Sequence, residues 1–106
     1  MSVAQVSRSA AREVLPGSKA CFVHAESMTI AHWWFEPGAL LPKHSHPHEQ
    51  VTNLIEGQFE LTVAEKVQRL TPGSVLVIPP EAVHSGKAVT ATYIIDVFHP
   101  VREDYK

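Results

Sequence analysis

Few stretches of this chain sustain a helical hydrophobic period. Short β-rich runs dominate, at Ala20–Val23, Met28–Phe35, Gln50–Ile55, Gln58–Val63, Val67–Leu70, Val75–Ile78 and Thr90–Phe98. Between them stand Pro37-Gly38, Pro42, Pro47, Gly57, Pro72-Gly73, Pro79-Pro80, Gly86 and Pro100. Short strands at close spacing, punctuated in this way, predict an all-β sandwich or barrel. Glu56-Gly57 predicts a tight hairpin, because glycine supplies the positive φ such a turn requires. Thr71-Pro72-Gly73 predicts a second turn. Val75-Leu-Val-Ile78 is apolar at every position, the pattern of a strand covered on both faces. Residues 2–15 could form one or two helical turns around Ala10–Glu13, but they read better as an arm leading to Pro16-Gly17. The expected organisation is one domain, with an arm at 1–19 and a barrel at 20–106.

Composition narrows the class. At 106 residues the chain has room for one core. A net charge of -2 with histidine neutral gives no basic footprint for nucleic acid. No apolar run reaches membrane-spanning length, and Met1–Arg8 lacks the continuous apolar segment of a secretory signal. Cys21 is alone among apolar neighbours, so it cannot form an internal disulfide and reads as a small core residue. Those features suit the cytoplasm.

The chemistry concentrates in Gly38–Gly57. His44, His46, His48 and Gln50 share one parity, and on extended chain residues two apart point the same way. A His-x-His pair presents two imidazoles to one point, and His84, after the Pro79-Pro80-Glu81 turn, offers a third. The pattern predicts a mononuclear metal site in a small β-barrel. Solvated loop histidines beside Pro42 and Pro47 are the plain alternative. His48 is a rival ligand by parity, and Glu49 should point away.

Two glycine-bracketed segments resemble the paired motifs of the cupin superfamily. Gly38, His44, His46 and Gly57 match the first motif, with Gln50 where a glutamate is usual; Gly73, Pro79 and His84 match the second. Glu81 replaces the second motif's usual glycine, and Ala88 its usual asparagine. The resemblance implies a single-domain cupin barrel, a double-stranded β-helix or jelly roll. A closer likeness spans most of the chain. The string His44-Ser-His-Pro-His-Glu-Gln50 and the ending Asp96-Val-Phe98-His-Pro100-Val-Arg102-Glu-Asp-Tyr105 are similar to the small pectin-degradation cupins. Members of that family open 4,5-unsaturated uronates to 5-keto-4-deoxyuronate. The likeness implies one divalent transition metal ion held by His44, His46, Gln50 and His84, with Asp96, Phe98 and Arg102 facing the substrate. His99 departs from the small hydroxyl residue expected after the phenylalanine.

Single residues sharpen or blunt this picture. Gln50 is a neutral ligand, which leaves a metal's full charge available as a Lewis acid; otherwise it would orient a histidine. Nickel, zinc, iron, manganese and copper all suit the donor set. Asp96 lies among Ile94, Ile95, Val97 and Phe98, where a carboxylate is costly unless paired or functional, so it is a candidate acid/base. Its alternative is a structural carboxylate bonded to backbone or an arginine. Arg102 offers a fork for a uronate carboxylate, or else is a surface arginine of the polar tail. Of Trp33 and Trp34 one should face inward and could line a sugar pocket; Trp34 is the candidate, with core packing the default for both. Lys43 could steer an anion.

The expected function is therefore metal-assisted ring opening of an unsaturated uronate, with Asp96 and Arg102 as catalytic residues. An iron(II) dioxygenase or a sugar isomerase on the same site, and a non-catalytic module binding a small anion, are the alternatives. The expected partners are a small anionic sugar and, because of the arm and an open sheet edge, a second copy of the chain in a homodimer.

Overall fold

The computed structural model describes residues 1–106, folded as two antiparallel sheets around one core. The strands are β1 (Arg12–Leu15), β2 (Ser18–His24), β3 (Thr29–Phe35), β4 (Leu40–His44), β5 (Glu49–Glu56), β6 (Phe59–Val63), β7 (Lys66–Leu70), β8 (Val75–Ile78), β9 (His84–Ala88) and β10 (Thr92–His99). One sheet has the order β1-β2-β3-β10-β5-β8 and the other β4-β9-β6-β7. This is a jelly roll, realised as a two-sheet sandwich rather than a closed barrel. No helix is long and apolar enough to cross a membrane.

Period-two alternation sets the core. In β3, Thr29, Ala31, Trp33 and Phe35 are buried, and in β10 Thr92, Ile94, Asp96 and Phe98 are buried. The opposing sheet supplies Phe59, Leu61, Leu70 and Ala88. Gly86 faces Phe59, whose ring fills the space a side chain would need. Gly57 (φ 89°) closes the β5–β6 turn so near the Ala91 carbonyl oxygen that a Cβ would collide with it.

The anticipated runs all appear as strands with ends shifted by up to two residues; β1, β4 and β9 do not appear among them. Those three carry Arg, Glu, Pro, Lys, Ser and Gly, residues that seldom signal a strand, and cross-strand pairing overrides the local preference. Two further expectations are corrected. The arm does not extend to residue 19. After a short 3-10 turn at Arg8–Ala10, capped by the Ser7 hydroxyl, the chain joins the sheet at Arg12 and pairs with β2. Nor is β8 covered on both faces. As an edge strand it buries Ile78 completely but leaves Val75 61% and Val77 55% exposed.

Candidate metal centre

Four segments converge at one end of the sandwich. His44 ends β4 and pairs directly with His84, the first residue of β9; His46 sits in the connection to β5; Gln50 projects inward from β5. The parity argument therefore selects the right neighbourhood by a different route: residues 44–50 are not one extended strand. The connection turns His48 aside, so this rival ligand is not in the cluster.

The ligand atoms of His44, His46 and His84 all lie within 4.8 Å of one another. Each imidazole is oriented by a backbone carbonyl. Nδ1–H donates to Pro42 O from His44 (2.7 Å), to His48 O from His46 (3.0 Å) and to Ala82 O from His84 (2.9 Å). A carbonyl only accepts, so these bonds place a proton on Nδ1, and in the neutral form of each ring the Nε2 lone pair is the one left free. His84 Nε2 is buried with no partner. Burial pushes the His84 pKa down to about 4 and also lowers that of His46, where Arg102 adds to the effect. Neutral, pre-aimed imidazoles are what a cation requires.

Gln50 completes the argument. Thr52 Oγ1 donates to the Asp96 carboxylate at 2.7 Å, so it accepts from Gln50 Nε2 at 3.0 Å. That chain fixes the amide and turns Oε1 toward His46 Nε2, 3.0 Å away. Both facing atoms then carry lone pairs, a repulsive contact that a shared cation converts into two bonds. The orphaned His84 nitrogen and this lone-pair confrontation fit a metal held by the three imidazoles, with the Gln50 amide oxygen beside them.

Asp96, Phe98 and Arg102 reach the same place. Asp96 pairs with Thr52 across β5 and with Ala31 across β3, and Phe98 pairs with Gln50. The buried Asp96 carboxyl is raised to about 6, chiefly by desolvation, against the opposing pull of Thr52, Gln50 and Arg102. Phe98 packs edge-on to His46, ring centroids 5.7 Å apart. Arg102 lies beyond β10, buried, over the rings of Tyr105 (4.1 Å) and Phe98 (4.7 Å). A cavity of about 20 Å³ lies among His44, His84, Gln50, Asp96, Phe98 and Arg102, with Trp33 and Tyr105 also on its walls. It has room for about one small ion or water.

The placement of Trp34 is corrected. Strand parity turns Trp33 inward, 4% exposed and on the cavity wall, whereas Trp34 lies on the outer face stacked on Tyr93. Lys43 lines a groove of about 450 Å³ with Thr62, Glu65 and Ser85, and His84 of the imidazole cluster is also on its wall. Sequence reasoning missed Thr52, which shares parity with Gln50 and could have been found from it. It also missed Tyr105 and Asp104, which lie in irregular chain without a period, and the part of His48, whose Nε2–H donates to Val101 O at 3.2 Å and ties down the C-terminal segment.

Comparison with known proteins agrees with this architecture. The cupin domain model matches residues 31–98. The chain belongs to the cupin family. Its structure is similar to that of KdgF from Halomonas sp., with a TM-score of 0.87 at 28% identity over 91% of this chain and 90% of that one. It is also similar to an RmlC-like cupin from Shewanella frigidimarina NCIMB 400, with a TM-score of 0.88 at 28% identity over 99% and 97%. The salicylate 1,2-dioxygenase of Pseudaminobacter salicylatoxidans shares the fold, with a TM-score of 0.78 at 16% identity over 81% of this cupin and 27% of that chain. No curated protein matches the chain.

Proposed function

We propose that this cupin opens the ring of 4,5-unsaturated uronates to 5-keto-4-deoxyuronate. What carries the reading is that a buried carboxyl poised near neutrality, Asp96, and a buried arginine with an unpaired nitrogen, Arg102, border the same cavity as His44 and His84 of the three-imidazole cluster. The similarity to the Halomonas KdgF and the match of residues 44–50 and 96–105 to the pectin-degradation cupins support it.

His44, His46, His84 and Gln50 would hold the metal. A bound divalent transition metal supplies Lewis-acid stabilisation of negative charge on substrate oxygen. Arg102 fixes the substrate through its carboxylate. Asp96 takes the proton of the anomeric hydroxyl as the neighbouring ring C–O bond breaks and the aldehyde carbonyl forms. The electron pair of that bond becomes the enolate that rearranges to the ketone, and Asp96 returns the proton to the carbon that becomes saturated. Atoms and electrons balance with no oxidant. Thr52 engages Asp96 Oδ1 and leaves Oδ2 for the transfer. Arg102 is rooted by its backbone N–H on Thr29 Oγ1 at 2.9 Å.

The cytoplasm is the proposed compartment. The proposed assembly is a homodimer across the outer face of the six-stranded sheet, which carries the exposed Val75, Val77 and Ile55 and the stacked Trp34 and Tyr93. Sedimentation of the protein should give twice the chain mass.

The test of activity mixes metal-loaded protein with 4,5-unsaturated galacturonate and follows loss of the ring double bond's ultraviolet absorbance. Chelated protein and His46→Ala run beside it against the uncatalysed rate. Metal-dependent acceleration is expected. Background rates in every sample would remove this substrate, and oxygen uptake or binding without turnover would then identify an oxygenase or a binding module.

A further inference from the structure

Arg102 is more tightly held than a surface arginine and less fully satisfied than a buried one. Its side chain is 6% exposed, while that of its partner Asp104 is 58% exposed. Nε donates to Asp104 Oδ1 at 3.0 Å and Nη2 donates to Oδ2 at 2.7 Å, a bidentate pair along one edge of the guanidinium. Tyr105 and Phe98 form a corner of rings against its plane. Yet Nη1 is buried with no partner at all.

A guanidinium offers two forks: Nε with one hydrogen of Nη2, and Nη1 with the other hydrogen of Nη2. Asp104 takes the first. The second stays unpaired beside the imidazole cluster, where an unsatisfied charged donor is expensive to keep. Two parallel N–H groups at that spacing match the two oxygens of a carboxylate. The Arg102 pair in turn holds the Asp104 carboxyl below its ordinary range, so the clamp is charged at neutral pH.

We propose that Asp104 is a positioning residue, occupying one fork of Arg102 so that the Nη1–Nη2 fork is presented to the cavity as the receptor for the substrate's carboxylate. This rests on the reading of Arg102 given under the proposed function. Asp104 is two residues from Arg102, in the 3-10 turn Glu103–Tyr105, so the clamp is local to one segment. Its negative charge also offsets the guanidinium beside a cluster built to hold a cation.

Calorimetric titration of the metal-loaded protein with D-galacturonate, a saturated uronate that cannot react, and with D-galactose, which lacks the carboxylate, tests the proposal. The native protein should prefer galacturonate. Asp104→Ala should weaken galacturonate about tenfold, the scale of one charge-assisted contact, and leave galactose and metal affinity unchanged. Asp104→Glu should restore most of the loss. Equal weakening of both sugars, tighter galacturonate binding in Asp104→Ala, or no preference in the native protein overturns the proposal. A ligand-free readout guards against misfolding. The Arg102 Nε–H resonance should be protected from solvent exchange in the native protein and Asp104→Glu, and lost in Asp104→Ala; its persistence there overturns the clamp. Absence of ring opening with Asp104-dependent galacturonate binding removes the reaction and keeps the clamp. Turnover with Asp104-independent binding does the reverse.

Discussion

Leu54, Ala88 and Ile94, with Phe35 and Phe59, fill one end of the sandwich with close-packed apolar side chains, while β5, β9 and β10 also bring Gln50, Thr52, His84 and Asp96 to the other end. On β5 the change occurs between Thr52 and Leu54, and on β10 between Asp96 and Ile94, which are cross-strand neighbours of those residues. Both ends are buried and both obey the same alternation. They differ in what burial accomplishes. At the apolar end it removes hydrocarbon from water and stabilises the fold. At the polar end it strips neutral imidazoles and a carboxyl of solvent, which costs stability and creates reactivity.

The largest expected contrast comes from one substitution at each end. His84→Ala should abolish metal binding at stoichiometric concentrations and bring turnover to background, while the metal-free melting temperature holds or rises, because a buried unpaired nitrogen is removed. Phe59→Ala should lower unfolding free energy by about 3–5 kcal/mol, the usual range for a buried aromatic, yet leave metal stoichiometry intact in the protein that remains folded. Metal analysis and denaturant unfolding of the two variants would break the division of labour if either affected both properties alike.

Asp96→Asn comes next. An asparagine oxygen still accepts from Thr52, so Gln50 keeps its aim and metal content should be unchanged. Proton transfer is lost, and turnover should fall by about 10²–10⁴. Full activity would remove Asp96 from the mechanism.

A smaller effect tests how the polar end is wired. Thr52→Val conserves shape but cuts the link from Asp96 to the Gln50 amide, which is then free to rotate. Metal affinity should weaken about tenfold, the lower range for residues that orient ligands. An unchanged dissociation constant would show that Gln50 needs no orienting partner.

The two ends were not equally legible in the sequence. Glycine spacing and the imidazoles of His44, His46 and His84 point to a cluster, because metal chemistry restricts the residue types that can hold a cation. The route was obscure. β4 and β9, which deliver His44 and His84, have weak strand signals and exist through pairing with β6 and with each other. Thr52 looks like any strand threonine until its cross-strand partner proves to be a carboxylate. Arg102 and Asp104 lie in irregular chain, where no period says which way a side chain turns.

Trp33 and Trp34 carry the same lesson to the scale of one residue. Alternation requires that they face opposite sides, but it sets no phase, and only the register Trp33↔Ile94 and Trp34↔Tyr93 assigns them. Trp33 packs edge-on to Phe22 and stacked on Phe35, so its loss would open a cavity behind the imidazoles. Trp34 stacks on Tyr93 at 4.9 Å on the outer face, where truncation removes an aromatic contact of about 1 kcal/mol and touches no wall of the metal cavity. Trp34→Ala should therefore keep kcat/KM within about twofold of the native value, a change of under 0.5 kcal/mol in barrier. A larger loss, measured per folded chain at a concentration that preserves the native assembly, would mean that the outer face communicates with the site and that the separation of inside from outside is incomplete.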